Sequence, residues 1–145
     1  MMRAAIFTID SGIYKAKAES AAASALKRML EQVGFEVKAA SVLPQEREVV
    51  ATVLRQLSDS GAVDLILTTG AVGYQDGDCA PEALSDAAEM LIPGIPEALR
   101  AYNLRYTKAS MMDRMMAGIR KKTLLMNLPE SAKTAKEDME YILME

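Results

Sequence analysis

The run Leu65-Ile66-Leu67-Thr68-Thr69-Gly70-Ala71-Val72-Gly73, followed by Asp76-Gly77-Asp78-Cys79-Ala80-Pro81-Glu82-Ala83, constrains this chain more than any other stretch. Val63–Thr69 is almost continuously apolar, as a strand is when both faces are covered. The glycines then break the strand into a turn, an acidic loop follows, and Pro81 sits in the first turn of a helix, where its missing N–H costs little. A strand end, a glycine turn and a helix N-terminus in that order build an anion site at the mouth of an α/β sheet. Carboxylates beside it can hold a cation.

The rest of the chain agrees with such a sheet. Arg3–Ile9 reads as a strand and Asp10-Ser11-Gly12 as a turn. Apolar positions from Lys17 to Val33 follow helical spacing, and Gly34 ends that helix. Phe35–Val42 is a second strand, and Glu46–Ser60 a second amphipathic helix closed by Gly61. Pro81–Leu91 and Ile95–Leu104 read as helices, Ala117–Ile119 and Thr123–Leu128 as strands, and Ser131 opens a last helix to about Leu143. The βα alternation predicts a three-layer α/β/α domain spanning 1–145, with a mostly parallel sheet and right-handed crossovers. Gly70–Ala80 then falls at the carboxyl edge of the sheet.

Composition narrows the chemistry. The chain has 145 residues, enough for one core and too few for two. A net charge of −3 argues against nucleic acid as a partner. No apolar run reaches the ~18 residues of a membrane helix and no leader-like segment is present, so a cytoplasmic location without membrane attachment is expected. Cys79 is the single cysteine, and there is no histidine. Serine–histidine triads, cysteine–histidine dyads and the usual zinc sites are thereby excluded. Catalysis would fall to carboxylates, lysines, arginines, backbone amides or a bound metal. The eleven methionines read as flexible core or interface filling.

Thr68–Ala83 resembles, without a gap, the TTGGTG…RD…TPEA signature of the molybdopterin adenylyltransferase family, the MogA/MoaB type of molybdenum cofactor biosynthesis protein. Two later segments agree. Ile92-Pro93-Gly94-Ile95-Pro96-Glu97-Ala98 is similar to the family's MPGFGE-type segment. Asp113-Arg114-Met115-Met116-Ala117-Gly118-Ile119 with Asn127-Leu128-Pro129-Glu130 is similar to SRxxAGI…NLPG. The resemblance implies that fold, a homotrimer, and adenylylation of molybdopterin or a related small anionic ligand by ATP with Mg²⁺. It implies Asp78 as catalytic residue and metal ligand. Thr69, Gly70, Ala71, Gly73, Glu97, Asp113, Asn127 and Pro129 become the binding residues.

Several positions depart from the family's pattern, and they fall where the chemistry would be. Ala71 replaces the second glycine, where a positive φ would strain a residue with a Cβ. Val72 replaces a threonine hydroxyl and Gly77 an arginine. Gln45, in Pro44-Gln45-Glu46, stands in place of an aspartate and offers no charge. Ala80 replaces the threonine that would cap the following helix, a duty open to Asp78. Asp113 replaces the serine of the SR motif, and Glu130 the glycine of NLPG. Asn127 has two readings, a hydrogen-bonding group for a pterin edge and a turn-capping side chain.

These residues leave two functions open: an adenylyltransferase of weakened or lost activity, and a non-catalytic pterin- or nucleotide-binding scaffold of the same fold. A receiver-type signalling domain is suggested only by Asp10, at the end of the first strand. The third strand ends Thr68-Thr69-Gly70 with no phosphoacceptor aspartate.

Overall fold

The computed structural model describes residues 2–143. Six strands form one sheet: β1 (Arg3–Ile9), β2 (Glu36–Leu43), β3 (Leu65–Thr69), β4 (Met90–Leu91), β5 (Ala117–Arg120) and β6 (Thr123–Leu128). Their order across the sheet is β2-β1-β3-β6-β5-β4. β2, β1, β3 and β6 run parallel, while β5 and β4 complete the sheet antiparallel. The helices are α1 (Ser11–Ala16), α2 (Ala21–Gln32), α3 (Arg47–Ser60), α4 (Ala80–Ala87), α5 (Gly94–Asn103) and α6 (Ala132–Ile142), with a 3₁₀ turn at Lys108–Met112. α2 packs on α6, which also meets α5; α3 packs on α4. The two groups cover opposite faces of the sheet, giving the three-layer α/β arrangement expected. β1, β3 and β6 lie between the layers, and Ile6, Ile66, Leu67 and Leu125 are fully buried there. None of the described helices is long and apolar enough to cross a membrane.

The chain leaves β1 toward β2 on one side, then returns across β1 to β3 on the other. The topological switch point therefore lies between the carboxyl ends of β1 and β3, where open α/β sheets form ligand crevices.

Three boundaries differ from the sequence expectation, each for a local reason. Asp10-Ser11-Gly12 is the start of α1 rather than a free turn, because the Asp10 carboxylate caps it by accepting from Ile13 N. The helix expected from Lys17 begins at Ala21. Lys17 adopts a left-handed conformation that closes α1, and Ser20 Oγ caps α2 by accepting from Ala23 N. The helix expected to reach Leu91 ends at Ala87. Glu89 N and Ile92 N donate instead to the carbonyls of Ile119 and Ala117, so strand pairing overrides helical spacing there.

Asp138 lies between α6 and α5 at 0% exposure. Asn103 Nδ2 donates to its Oδ2 at 3.1 Å, and Oδ1 has no partner among the described residues. Burial pushes its carboxyl up to about 6 against the Asn103 hydrogen bond, with the charges of Asp113 and Glu137 adding to the rise. The folded state thus binds the proton more tightly than the unfolded chain. The stability contributed by the protonated form is complete below pH ~4 and is lost as pH rises through the folded-state value. Asp138→Asn is expected to stabilise the protein by about 2 kcal/mol at pH 8 and to change little at pH 4. Thermal melts of both proteins at the two pH values check this.

Candidate functional site

The loop between β3 and α4 is built by backbone geometry. Gly70 has φ 91° and Ala71 φ 57°, both left-handed. Gly70 N is held by Leu128 O at 3.1 Å, and a Cβ on residue 70 would lie 3.0 Å from Ile9 O. The carbonyls of the next three residues turn into the protein. Ala71 O accepts from Ala80 N at 3.0 Å, Val72 O from Arg114 N at 2.8 Å, and Gly73 O from Arg114 Nε at 2.6 Å. Among the described residues no acceptor meets the N–H groups of residues 71–74. Ala71, Val72, Gly73, Tyr74, Gln75 and Asp78, with Glu130 opposite, line a cavity of about 320 Å³. A run of unpaired amides beside such a cavity suits an anion.

Ala71 confirms the backbone demand suspected from the sequence. It occupies left-handed space that glycine takes without strain. Ala71→Gly is expected to stabilise the fold by about 1 kcal/mol, raising the thermal midpoint by roughly 3 °C. A calorimetric melt checks it, and a lowered midpoint would contradict the strain.

Arg114 is the organiser of this loop. Besides Gly73 O, its guanidinium donates to Asp78 O at 2.7 Å and pairs with Glu82 through both carboxylate oxygens. The arginine holds the Glu82 carboxyl below its usual range, with its hydrogen bonds the leading cause. In the sequence Arg114 stands only as the arginine of the segment similar to SRxxAGI; its positioning role emerges when the chain before β5 meets α4 and the loop.

Asp78 does not cap α4. Its Oδ2 accepts from Gln75 N at 3.0 Å, closing the acidic loop on itself, while no donor among the described residues reaches its Oδ1. Cys79 occupies the N-cap position without a side-chain cap bond, and burial pushes its thiol up. It is therefore a poor nucleophile.

A second cavity, of about 150 Å³, adjoins the first through Glu130 and lies at the switch point. Thr8 and Ile9 of β1 with Asp10 after them, Thr69 of β3 with Gly70 after it, and the start of α2 line it. Thr8 is 5% exposed, and its Oγ1 has no partner among the described residues. The amides of Ala21 and Ala22, in the first turn of α2, have no intrahelical acceptor. Sequence reading missed Thr8 and the α2 terminus. A strand-end threonine and a capping serine before alanines are too common to stand out.

The remaining expected residues are placed elsewhere. Asn127 is 1% exposed, with Oδ1 accepting from Met116 N and Nδ2 donating to Thr68 Oγ1 at 2.7 Å. Its amide ties β6 to β3 and to the segment that carries Arg114. Pro129 follows β6, next to Glu130. Asp113 does not face the loop. Its Oδ1 accepts from Arg100 at 3.0 Å and from Met115 N, so its charge is met by Arg100. Glu97 and Arg100 belong to a separate hollow of about 140 Å³ with Met115 and Met116.

The architecture is that of an open α/β protein with a ligand crevice at its switch point, and the comparisons give its family. The domain profile described as "Probable molybdopterin binding domain" matches residues 5–145. The chain belongs to this family, of the MogA/MoaB type. It is 32% identical over 133 residues to the molybdopterin adenylyltransferase of Escherichia coli K12, covering 92% of this chain and 67% of that protein. It is 33% identical over 101 residues to the molybdopterin adenylyltransferase of Helicobacter pylori, covering 70% of this chain and only 57% of that protein. The structure of the molybdopterin biosynthesis enzyme MoaB from Thermus thermophilus superposes with a TM-score of 0.89 at 34% identity, over 99% of this chain and 90% of that one.

Proposed function

We propose that this chain binds a molybdopterin-type anion in the joined crevice and retains at most weak adenylyl transfer from Mg·ATP. One observation carries the binding half: the amides of residues 71–74 lack acceptors while the carbonyls of residues 71–73 are turned inward. That loop would take phosphate oxygens, and the Thr8 hydroxyl with the α2 amides would take a further polar group. In the transfer, a phosphate oxygen of the pterin attacks the α-phosphorus of ATP. A new phosphorus–oxygen bond forms, and the bond to the pyrophosphate leaving group breaks. The protein's part is to hold two anions together and screen their charge.

Mg²⁺ needs few protein ligands when phosphates supply the rest. Among the described residues no donor occupies Asp78 Oδ1, and no cluster of three metal-binding side chains exists. A magnesium ion held there would neutralise charge on the triphosphate. Gln45 adds no second carboxylate, Gly77 supplies no cation, and Glu130 places an anion between the two cavities. These three features support weak turnover over full activity. Glu97, Pro129 and Asn127 would shape the walls and contact the pterin only indirectly.

Separate titrations with molybdopterin and Mg·ATP, followed by an assay for adenylylated product, test the reading. Molybdopterin binding with weak ATP binding and slow product formation is the expected result. Failure of both ligands to bind would end it. The protein is also expected to form trimers through apolar surface that includes Met111 and Met112, 65% and 53% exposed. A monomer in sedimentation across a wide concentration range would contradict this.

A further inference from the structure

Gln45 sits where the loop after β2 meets both α1 and the acidic loop. Its backbone N donates to Ser11 Oγ at 2.8 Å, and its side-chain Oε1 accepts from Ser11 N at 3.1 Å. The other end of the same amide, Nε2, donates to Gly77 O at 3.0 Å. The amide thus joins a donor on one element to an acceptor on another. A carboxylate could keep the Ser11 contact, but it has no proton for Gly77 O and would set two acceptors face to face.

Gly77 is matched to that amide. A Cβ on residue 77 would lie 2.9 Å from Gln45 Nε2, closer than side chains pack. The obstacle is the end of a flexible side chain, so a substitution there displaces the amide rather than the backbone. The loop has only a few other ties. Arg114 holds Gly73 O and Asp78 O at its two ends, and the bonds between Gln75 and Asp78 close its tip. Gln45 supplies the tie at residue 77, between these anchors.

We propose that Gln45 and Gly77 form a neutral latch that positions the acidic loop, and with it Asp78, against the α1 turn. Gln45 is a positioning residue in this arrangement. The loop is fixed by a hydrogen bond where a charged residue would otherwise stand, and the two positions act as a unit. Changing either alone releases the loop; changing both removes nothing further.

Native-state hydrogen exchange of the full chain, read at the amides of Gln75 and Asp78, tests this without any ligand. Gln45→Glu and Gly77→Ala are each expected to lower protection there about tenfold, with the global unfolding midpoint almost unchanged. The double variant is expected to match either single variant rather than lose a hundredfold. Gln45→Met, which lacks both polar atoms, keeps the test open if Gln45→Glu folds poorly and should behave as Gly77→Ala does. Unchanged protection in the single variants, or losses that multiply in the double, would overturn the latch. A Mg·ATP titration of the same variants adds an arm that rests on the proposed function. Affinity should fall in proportion to the closed fraction of the loop that exchange reports. If the closed fraction falls and the latch variants bind ATP as well as the parent, the latch has no bearing on Asp78 and the positioning claim fails. If the parent binds no ATP, exchange alone decides the latch and the failure belongs to the proposed function.

Discussion

Arg114→Ala is expected to weaken ligand binding about a hundredfold and to lower the thermal midpoint by several degrees. The side chain serves three partners on two elements, Gly73 O, Asp78 O and Glu82, while its own backbone N holds Val72 O. Removing it leaves two loop carbonyls without donors and a half-buried carboxylate without its cation. Hydrogen bonds to a charged group contribute about 1.5–3 kcal/mol each. Partial exposure of both Arg114 and Glu82 reduces the ion pair itself, so roughly 3 kcal/mol in total is a reasonable scale. Because Gly73 O is held inward by the Arg114 side chain, its release should let the following amide turn away from the cavity, while the backbone donors to Ala71 O and Val72 O remain. Arg114→Lys should not rescue the loss, since one ammonium cannot reach Gly73 O, Asp78 O and Glu82 with the geometry of a planar fork. Calorimetric titration with molybdopterin, beside a thermal melt, separates the two effects. Parent-like affinity in Arg114→Ala would show that the loop needs no such clamp.

Much of this arrangement was readable before the fold was known, and the exceptions share a cause. The apolar run into Gly70 and the helix opening near Pro81 announce a local event, and local events survive translation into structure. So does the strain at Ala71, which follows from one missing glycine and is realised as φ 57°. What could not be read depends on where distant segments meet. Asp113 looks like an anion added to the cleft until α5 brings Arg100 to within 3.0 Å of it. Asn127 looks like a ligand-facing amide until both its ends are used within the sheet and the Met116 segment. Gln45 looks like a lost charge, yet its partners, Ser11 and Gly77, are 34 and 32 residues away. Residue identity shows which bonds a side chain can make, and only topology shows which are already made.

That distinction decides how activity should be restored. The parent protein is expected to give little or no adenylylated molybdopterin. Gln45→Asp, Ala71→Gly, Gly77→Arg and Glu130→Gly together are expected to raise product formation about tenfold, the gain from charge outweighing what the lost Gln45–Gly77 hydrogen bond costs. Glu130→Gly removes an anion from the junction of the two cavities, and Gly77→Arg adds a cation to the acidic loop. Gln45→Asp adds a carboxylate able to serve a metal, and Ala71→Gly relaxes the turn. Each charge change near a surface contributes on the order of 1 kcal/mol, depending on screening, and about 1.4 kcal/mol corresponds to tenfold in rate. Gly77→Arg introduced alone should be worse than the parent, because its Cβ meets the Gln45 amide at 2.9 Å. Paired with Gln45→Asp, it loses that clash. Adding Asp113→Ser should bring no further gain, since the Asp113 charge is already met by Arg100 and its removal leaves that arginine unpaired. The measurement is product formation at fixed Mg·ATP and molybdopterin for the parent, the Gln45→Asp and Gly77→Arg single variants, their pair, the four-site variant and the five-site variant. Robust turnover by the parent would refute the weakened-site reading. Equal gains from Gly77→Arg with and without Gln45→Asp would refute the coupling between the two loops.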